Sequence, residues 1–86
     1  MDCDPKSIGC KGGRAWKAFE FFKTTGFILE SDYRYNVEER GTCRSDKYTK
    51  QGKVAKWSVL GINEDSIAAA LVETGPLAAE INAKYF

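Results

Sequence analysis

The polar stretch from Glu30 to Gly52 sets the tightest limit on what this chain can fold into. It carries no apolar periodicity, and its aromatics, Tyr33, Tyr35 and Tyr48, stand singly. Structureless loops longer than about 12–15 residues are uncommon inside a compact domain. The whole chain has 86 residues, room for one small domain and not two. A domain of that size buries only a modest share of its surface, so a loop this long has to be pinned. The tyrosines and a covalent tie through Cys43 are the means at hand. Cysteines number three, Cys3, Cys10 and Cys43. In a secreted-type chain an odd count implies an unpaired thiol or a partner elsewhere. The other reading is three reduced thiols in a cytosolic protein.

The segments flanking the loop are patterned. From Arg14 to Thr25, Ala15, Trp16, Ala18, Phe19 and Phe22 recur at three- and four-residue spacing and predict a helix with one buried face. Gly26 sits where a left-handed C-terminal cap falls. Phe27, Ile28 and Leu29 follow as a short buried run. Beyond the loop, Val54 to Ile62 reads as a strand. Asn63 is placed to cap a second helix, with Glu64 and Asp65 in a first turn where negative charge suits the helix dipole. Ile67, Ala68, Leu71 and Val72 form its apolar face, and Gly75-Pro76 stops it. Leu77 to Ala83 reads as a second strand, with Leu77, Ala79 and Ile81 on one face and Ala78, Glu80 and Asn82 on the other. Two strands do not make a stable sheet alone, so the second half reads as a domain begun and not finished.

Composition excludes several functions. The net charge is +1, from 13 basic and 12 acidic residues that are scattered along the chain. A nucleic-acid or membrane-surface partner calls for a basic stripe, so neither is expected. No run of roughly 18 apolar residues is present, and no membrane-spanning helix is expected. The opening MDCDPKS lacks a basic and then apolar leader, so no signal peptide is read. Histidine is absent, which removes most general-base chemistry near neutral pH. Three cysteines without histidine also leave a tetrahedral zinc site one ligand short. No cofactor and no metal are expected.

The opening DCDPKSIGCKGG, followed in order by AFEFFKTTGFILESDYRY, GTC around Cys43 and NEDSIAAALVETGPLAAEINA, resembles the papain-like cysteine proteases, nearest their cathepsin F and L branches. Each motif alone is weak; the series, in the family's order across nearly the whole chain, is specific. The resemblance implies an α+β fold. Residues 1–52 correspond to the later part of the family's helical domain and residues 53–86 to the start of its β-rich domain. It implies peptide-bond hydrolysis by a thiolate through an acyl-enzyme in the complete enzyme, with a peptide or protein as substrate. The family's nucleophile lies in an upstream Q-x-x-x-C-G-S-C-W type run, and its histidine and asparagine lie downstream. None of these motifs occurs here, so the expectation is an internal piece that is inactive alone. A thiol near its ordinary pKa of about 8.5 is mostly protonated at neutral pH unless a partner such as histidine lowers it. The family's compartment, lysosomal or secreted, is implied as well.

By the same resemblance Cys3 pairs with Cys43, and Cys10 pairs with a cysteine outside these residues. A disulfide dimer through Cys10 is the alternative for that thiol. Gly12 and Gly13 match the ledge on which an extended substrate pairs with the backbone of the second glycine. A plain turn before a helix competes with that reading. Arg14 and Ala15 border the S2 and S3 subsites. Glu80 falls on the strand that forms one S2 wall, where the family has a small or apolar residue, and there it favours a basic or polar P2 side chain. A solvated charge competes with that reading of Glu80. Arg34 departs from the family, which has a proline between the two tyrosines. Three functions compete: a piece of a cysteine protease, a non-catalytic peptide- or partner-binding module, and a small disulfide-tied structural domain.

Overall fold

The computed structural model describes residues 1–36 and 41–86; the part of the expected loop at 37–40 lies outside the described residues. Among the described residues two α-helices carry the regular structure, α1 (Ala15–Thr24) and α2 (Glu64–Thr74), with 3₁₀ turns at Gly9–Lys11 and Ser45–Lys47.

Helix α1 forms where the apolar spacing predicts it. Arg14 enters it in extended conformation, and its carbonyl accepts from the amides of Lys17 and Ala18. The helix ends as its glycine predicts. Thr25 and Gly26 donate back to the carbonyls of Phe21 and Phe22, at 2.9 and 3.1 Å. Gly26 turns the chain at φ +81°, and a Cβ there would lie 2.7 Å from the carbonyl oxygen of Gly52. That close approach sets up the antiparallel bridge in which Phe27 donates to Gly52 (2.9 Å) and Gln51 donates to Phe27 (2.8 Å). The long loop is thereby closed at its base.

The loop is held at its far side by the Cys3–Cys43 disulfide, with 4.8 Å between the Cα atoms. Around it, the Tyr33 hydroxyl donates to Asp2 Oδ2 at 2.7 Å and accepts from the amide of Arg44 at 3.2 Å. The Gly41 amide donates to the other Asp2 oxygen. Tyr33 also packs on Tyr48, centroid to centroid 5.5 Å. The expected pinning by tyrosine and cysteine is what the loop uses.

Helix α2 is capped locally. Asn63 Oδ1 accepts from the amides of Asp65 (2.9 Å) and Ser66 (3.2 Å), and Gly75 leaves the helix at φ +94°.

Two expectations are corrected. The segments Val54–Ile62 and Leu77–Ala83 are not strands; Phe27–Gly52 is the one ladder-type pairing among the described residues. Strand structure depends on a ladder with a neighbouring backbone; Val54 makes one such bond, its amide donating to the Phe22 carbonyl at 3.3 Å, and neither segment forms a ladder among the described residues. The α+β expectation is therefore met here on its helical side alone. The run Phe27–Leu29 is not buried either: Phe27 is 40% and Leu29 51% exposed. Among the described residues no apolar residue is fully buried, and the buried polar residues are Asp4 and Ser45. A compact monomer of this mass exposes about 5,100 Å², whereas this chain exposes 7344 Å². Its radius of gyration is 15.0 Å, against about 12 Å for a compact chain of this length.

The second half meets the first through Val54, whose amide donates to the Phe22 carbonyl, and through Trp57 and Glu80. Trp57 packs on Trp16 at 6.0 Å between centroids and donates its indole N–H to Glu20. Glu80 reaches Arg14 at the start of α1.

Candidate substrate-binding site

The site is built on a turn written in the sequence as Asp-Pro-Lys-Ser. The buried Asp4 carboxylate accepts from the Lys6 amide (3.0 Å) and from the Ser7 hydroxyl (2.5 Å), and the Ser7 amide donates to the Asp4 carbonyl (3.3 Å). This is the local side-chain turn that Asp and Pro favour. It delivers Ile8, whose amide donates to the Gly12 carbonyl at 2.9 Å, while Gly12 donates to Gly9 at 3.2 Å. Both backbone groups of Gly12 are thus spent on the turn, at φ +128°, a conformation suited to glycine.

Gly13 differs. Its backbone is exposed, and its N–H and C=O meet no hydrogen-bond partner among the described residues. A Cβ at Gly13 would lie 2.9 Å from Ser7 Oγ and 3.1 Å from Ser7 Cβ. Glycine here has a reason within the chain: it lets the backbone lie against the Asp4–Ser7 turn. The result is an open donor and acceptor on one residue, the arrangement a sheet edge presents to an incoming extended peptide. A groove runs beside it, with Gly12, Gly13, Arg14, Ala15, Phe22 and Tyr35 in its lining.

Arg14 and Ala15 follow directly, and α1 fixes both. Glu80 comes to the site through Arg14 rather than through the groove wall: Arg14 Nε stands 3.1 Å from Glu80 Oε1, each side chain 59% exposed. The expected alternation around Glu80 is not kept, since Ile81, assigned to the inner face, is 74% exposed. Gly12, Gly13, Arg14 and Ala15 line the groove together, and Glu80 joins them through its ion pair with Arg14. Cys10 is exposed in the 3₁₀ turn, outside the Cys3–Cys43 bond. No group of three or more metal-ligating side chains gathers among the described residues.

Asp2 and Glu20 sit below their ordinary carboxylate pKa, both in supporting positions. The Tyr33 hydroxyl, and next the Gly41 amide, favour ionised Asp2. The Trp57 indole N–H, with Lys23 beside it, does the same for Glu20.

Sequence reasoning missed three contacts: Ser7 under Gly13, Trp57 on Glu20, and Arg14 with Glu80. The first had a signal in the Asp-Pro-x-Ser turn. The other two join residues far apart in sequence, and no spacing rule announces them.

The family model for the papain family cysteine protease matches residues 1–86. The chain is 43% identical over 90 residues to a probable cysteine protease, RD19B, of Arabidopsis thaliana, covering 98% of this chain and 25% of that protein. It is 40% identical to cysteine proteinase 15A of Pisum sativum, over 96% of this chain and 24% of the relative. It is 31% identical to cathepsin W of Mus musculus, over 98% of this chain and 23% of the relative. The chain spans about a quarter of the length of the curated relatives it matches. No solved structure matches the chain.

Proposed function

The chain belongs to the papain family of cysteine proteases, and on that premise we propose that its 86 residues supply one wall of a peptide-binding cleft and none of the bond-breaking chemistry. The observation that carries this reading is Gly13. It offers an exposed amide and carbonyl, both open, on a turn rigidified by Asp4 and Ser7. A peptide laid along it gains two backbone hydrogen bonds without regard to its sequence. Arg14, Ala15 and Glu80 stand next to that edge and face the substrate's side chains.

In the complete enzyme of which this is a piece, a cysteine thiolate attacks the peptide carbonyl and forms an acyl-enzyme. The nucleophile and its base come from segments other than these residues. The chain has no histidine to lower a thiol's pKa. Residues 1–52 belong to a helical domain and residues 53–86 to the start of a β-rich one, giving an α+β whole. The segments 54–62 and 77–83 then become strands once a neighbouring ladder is supplied. Cys10 bonds to a cysteine of another segment. The Cys3–Cys43 bond fits a lysosomal or secreted setting, where disulfides persist.

The test is a titration of the ¹⁵N-labelled chain with a blocked, extended tripeptide. The Gly13 amide resonance moves in a saturable way, more than those of α2. If no peptide moves it, the cleft-wall reading is wrong.

A further inference from the structure

Glu80 alone beside a substrate edge is a cation selector; Glu80 with Arg14 on it is not. We infer that Arg14 and Glu80 work as a charge-compensated pair next to Gly13, so that the adjoining subsite takes neutral side chains and selects for neither sign of charge. This rests on the cleft-wall reading of Gly13 and specifies its substrate class.

Arg14 is the residue after Gly13, and its Nε lies 3.1 Å from Glu80 Oε1. A peptide paired with the Gly13 backbone therefore lays a side chain within reach of both groups. A basic side chain can reach Glu80 only by competing with Arg14. An acidic one can reach Arg14 only by competing with Glu80. Each exchange breaks one ion pair and makes a similar one, so neither gains much. A neutral side chain leaves the pair intact. The pair is open to water, with both side chains 59% exposed, and exposed pairs of this kind are worth about a fivefold change in an equilibrium or less. It is therefore exchangeable, a filter and not a lock.

The competing charges belong to the two residues themselves, so single substitutions should unmask opposite preferences. In Arg14→Gln, Glu80 is left without its partner and a basic side chain gains. In Glu80→Gln, Arg14 is left and an acidic side chain gains. The double variant loses both. Because all of these charges are exposed, the differences shrink as salt rises past physiological strength.

The experiment uses the full chain and three blocked tripeptides that differ at one position, arginine, glutamate or leucine, with affinity read from the Gly13 amide resonance. The helical circular dichroism of each variant checks that the fold is kept. In the unsubstituted chain the arginine and glutamate peptides bind within about threefold of each other, and neither binds more tightly than the leucine peptide. Arg14→Gln favours the arginine peptide over the glutamate peptide by about fivefold, Glu80→Gln reverses the order, and the double variant returns the two to parity. A tenfold preference for arginine in the unsubstituted chain, unchanged by Arg14→Gln, would show Glu80 acting alone and overturn the inference. So would single variants that leave the order of the peptides unchanged. In both cases Gly13 still responds, which leaves the cleft-wall reading standing. A Gly13 resonance unmoved by every peptide removes that reading and the filter with it.

Discussion

Breaking the Cys3–Cys43 bond removes the covalent tie that holds the long loop. The bond joins residues 40 apart in sequence. Closing a loop of that size lowers the entropy of the unfolded chain enough to contribute about 4 kcal/mol in the chain-entropy model. Typical domains are stable by roughly 0.05–0.15 kcal/mol per residue. With no apolar residue fully buried among the described residues, this chain belongs at the bottom of that range, where about 4 kcal/mol is comparable to the whole. Contacts that depend on the bond lie beside it: Tyr33 to Asp2, Gly41 to Asp2, and the Arg44 amide to Tyr33. Helix α2 draws on a local cap instead. Urea titrations of the chain with and without reductant, and of a Cys3→Ser/Cys43→Ser variant, measure the effect. Reduction should lower the unfolding free energy by about 3–4 kcal/mol and erase the dispersed resonances of Asp2, Tyr33 and Gly41 before those of α2. A midpoint unchanged by reductant would refute the claim that the loop is held covalently.

Two further outcomes are expected. Asp2 and Glu20 have lowered pKa values when folded, so their contribution is complete above the ordinary carboxylate range near 4 and is lost as pH falls below it through the lowered values; stability measured by urea at pH 6 and pH 3 should fall, with Trp57 emission moving to the red, and a flat profile would contradict these hydrogen bonds. Gly26→Ala forces a left-handed alanine, costing about 1–2 kcal/mol, and sets its Cβ 2.7 Å from the Gly52 carbonyl; thermal unfolding should drop accordingly, and an unchanged Tm would mean the helix exit is not as described.

What was legible in the sequence follows the range of the interactions. Asn63 could be read as a cap because its partners are two and three residues on. Gly26 could be read as a helix exit because the left-handed turn is its own backbone's requirement. The pairing of Cys3 with Cys43 came from family resemblance, since three cysteines alone leave the choice open. The segments 54–62 and 77–83 misled because apolar alternation reports a face and not a partner; with no ladder beside them they stay irregular. Phe27–Leu29 misled for a related reason, since apolar content predicts burial only where there is a core to enter. Of the candidate site, Gly12, Gly13, Arg14 and Ala15 were contiguous and legible. The ion pair that changes the meaning of Glu80 joins two distant segments, and nothing near either residue signals it.

The central claim is that this chain offers a substrate wall and performs no hydrolysis. The most direct measurement is turnover of fluorogenic dipeptide substrates by the purified chain, under reducing conditions across a range of pH, beside a Cys10→Ser variant. The account predicts release indistinguishable from the buffer blank for both proteins. Turnover by the unsubstituted chain that disappears in Cys10→Ser would contradict it, because Cys10 would then be a nucleophile working without histidine.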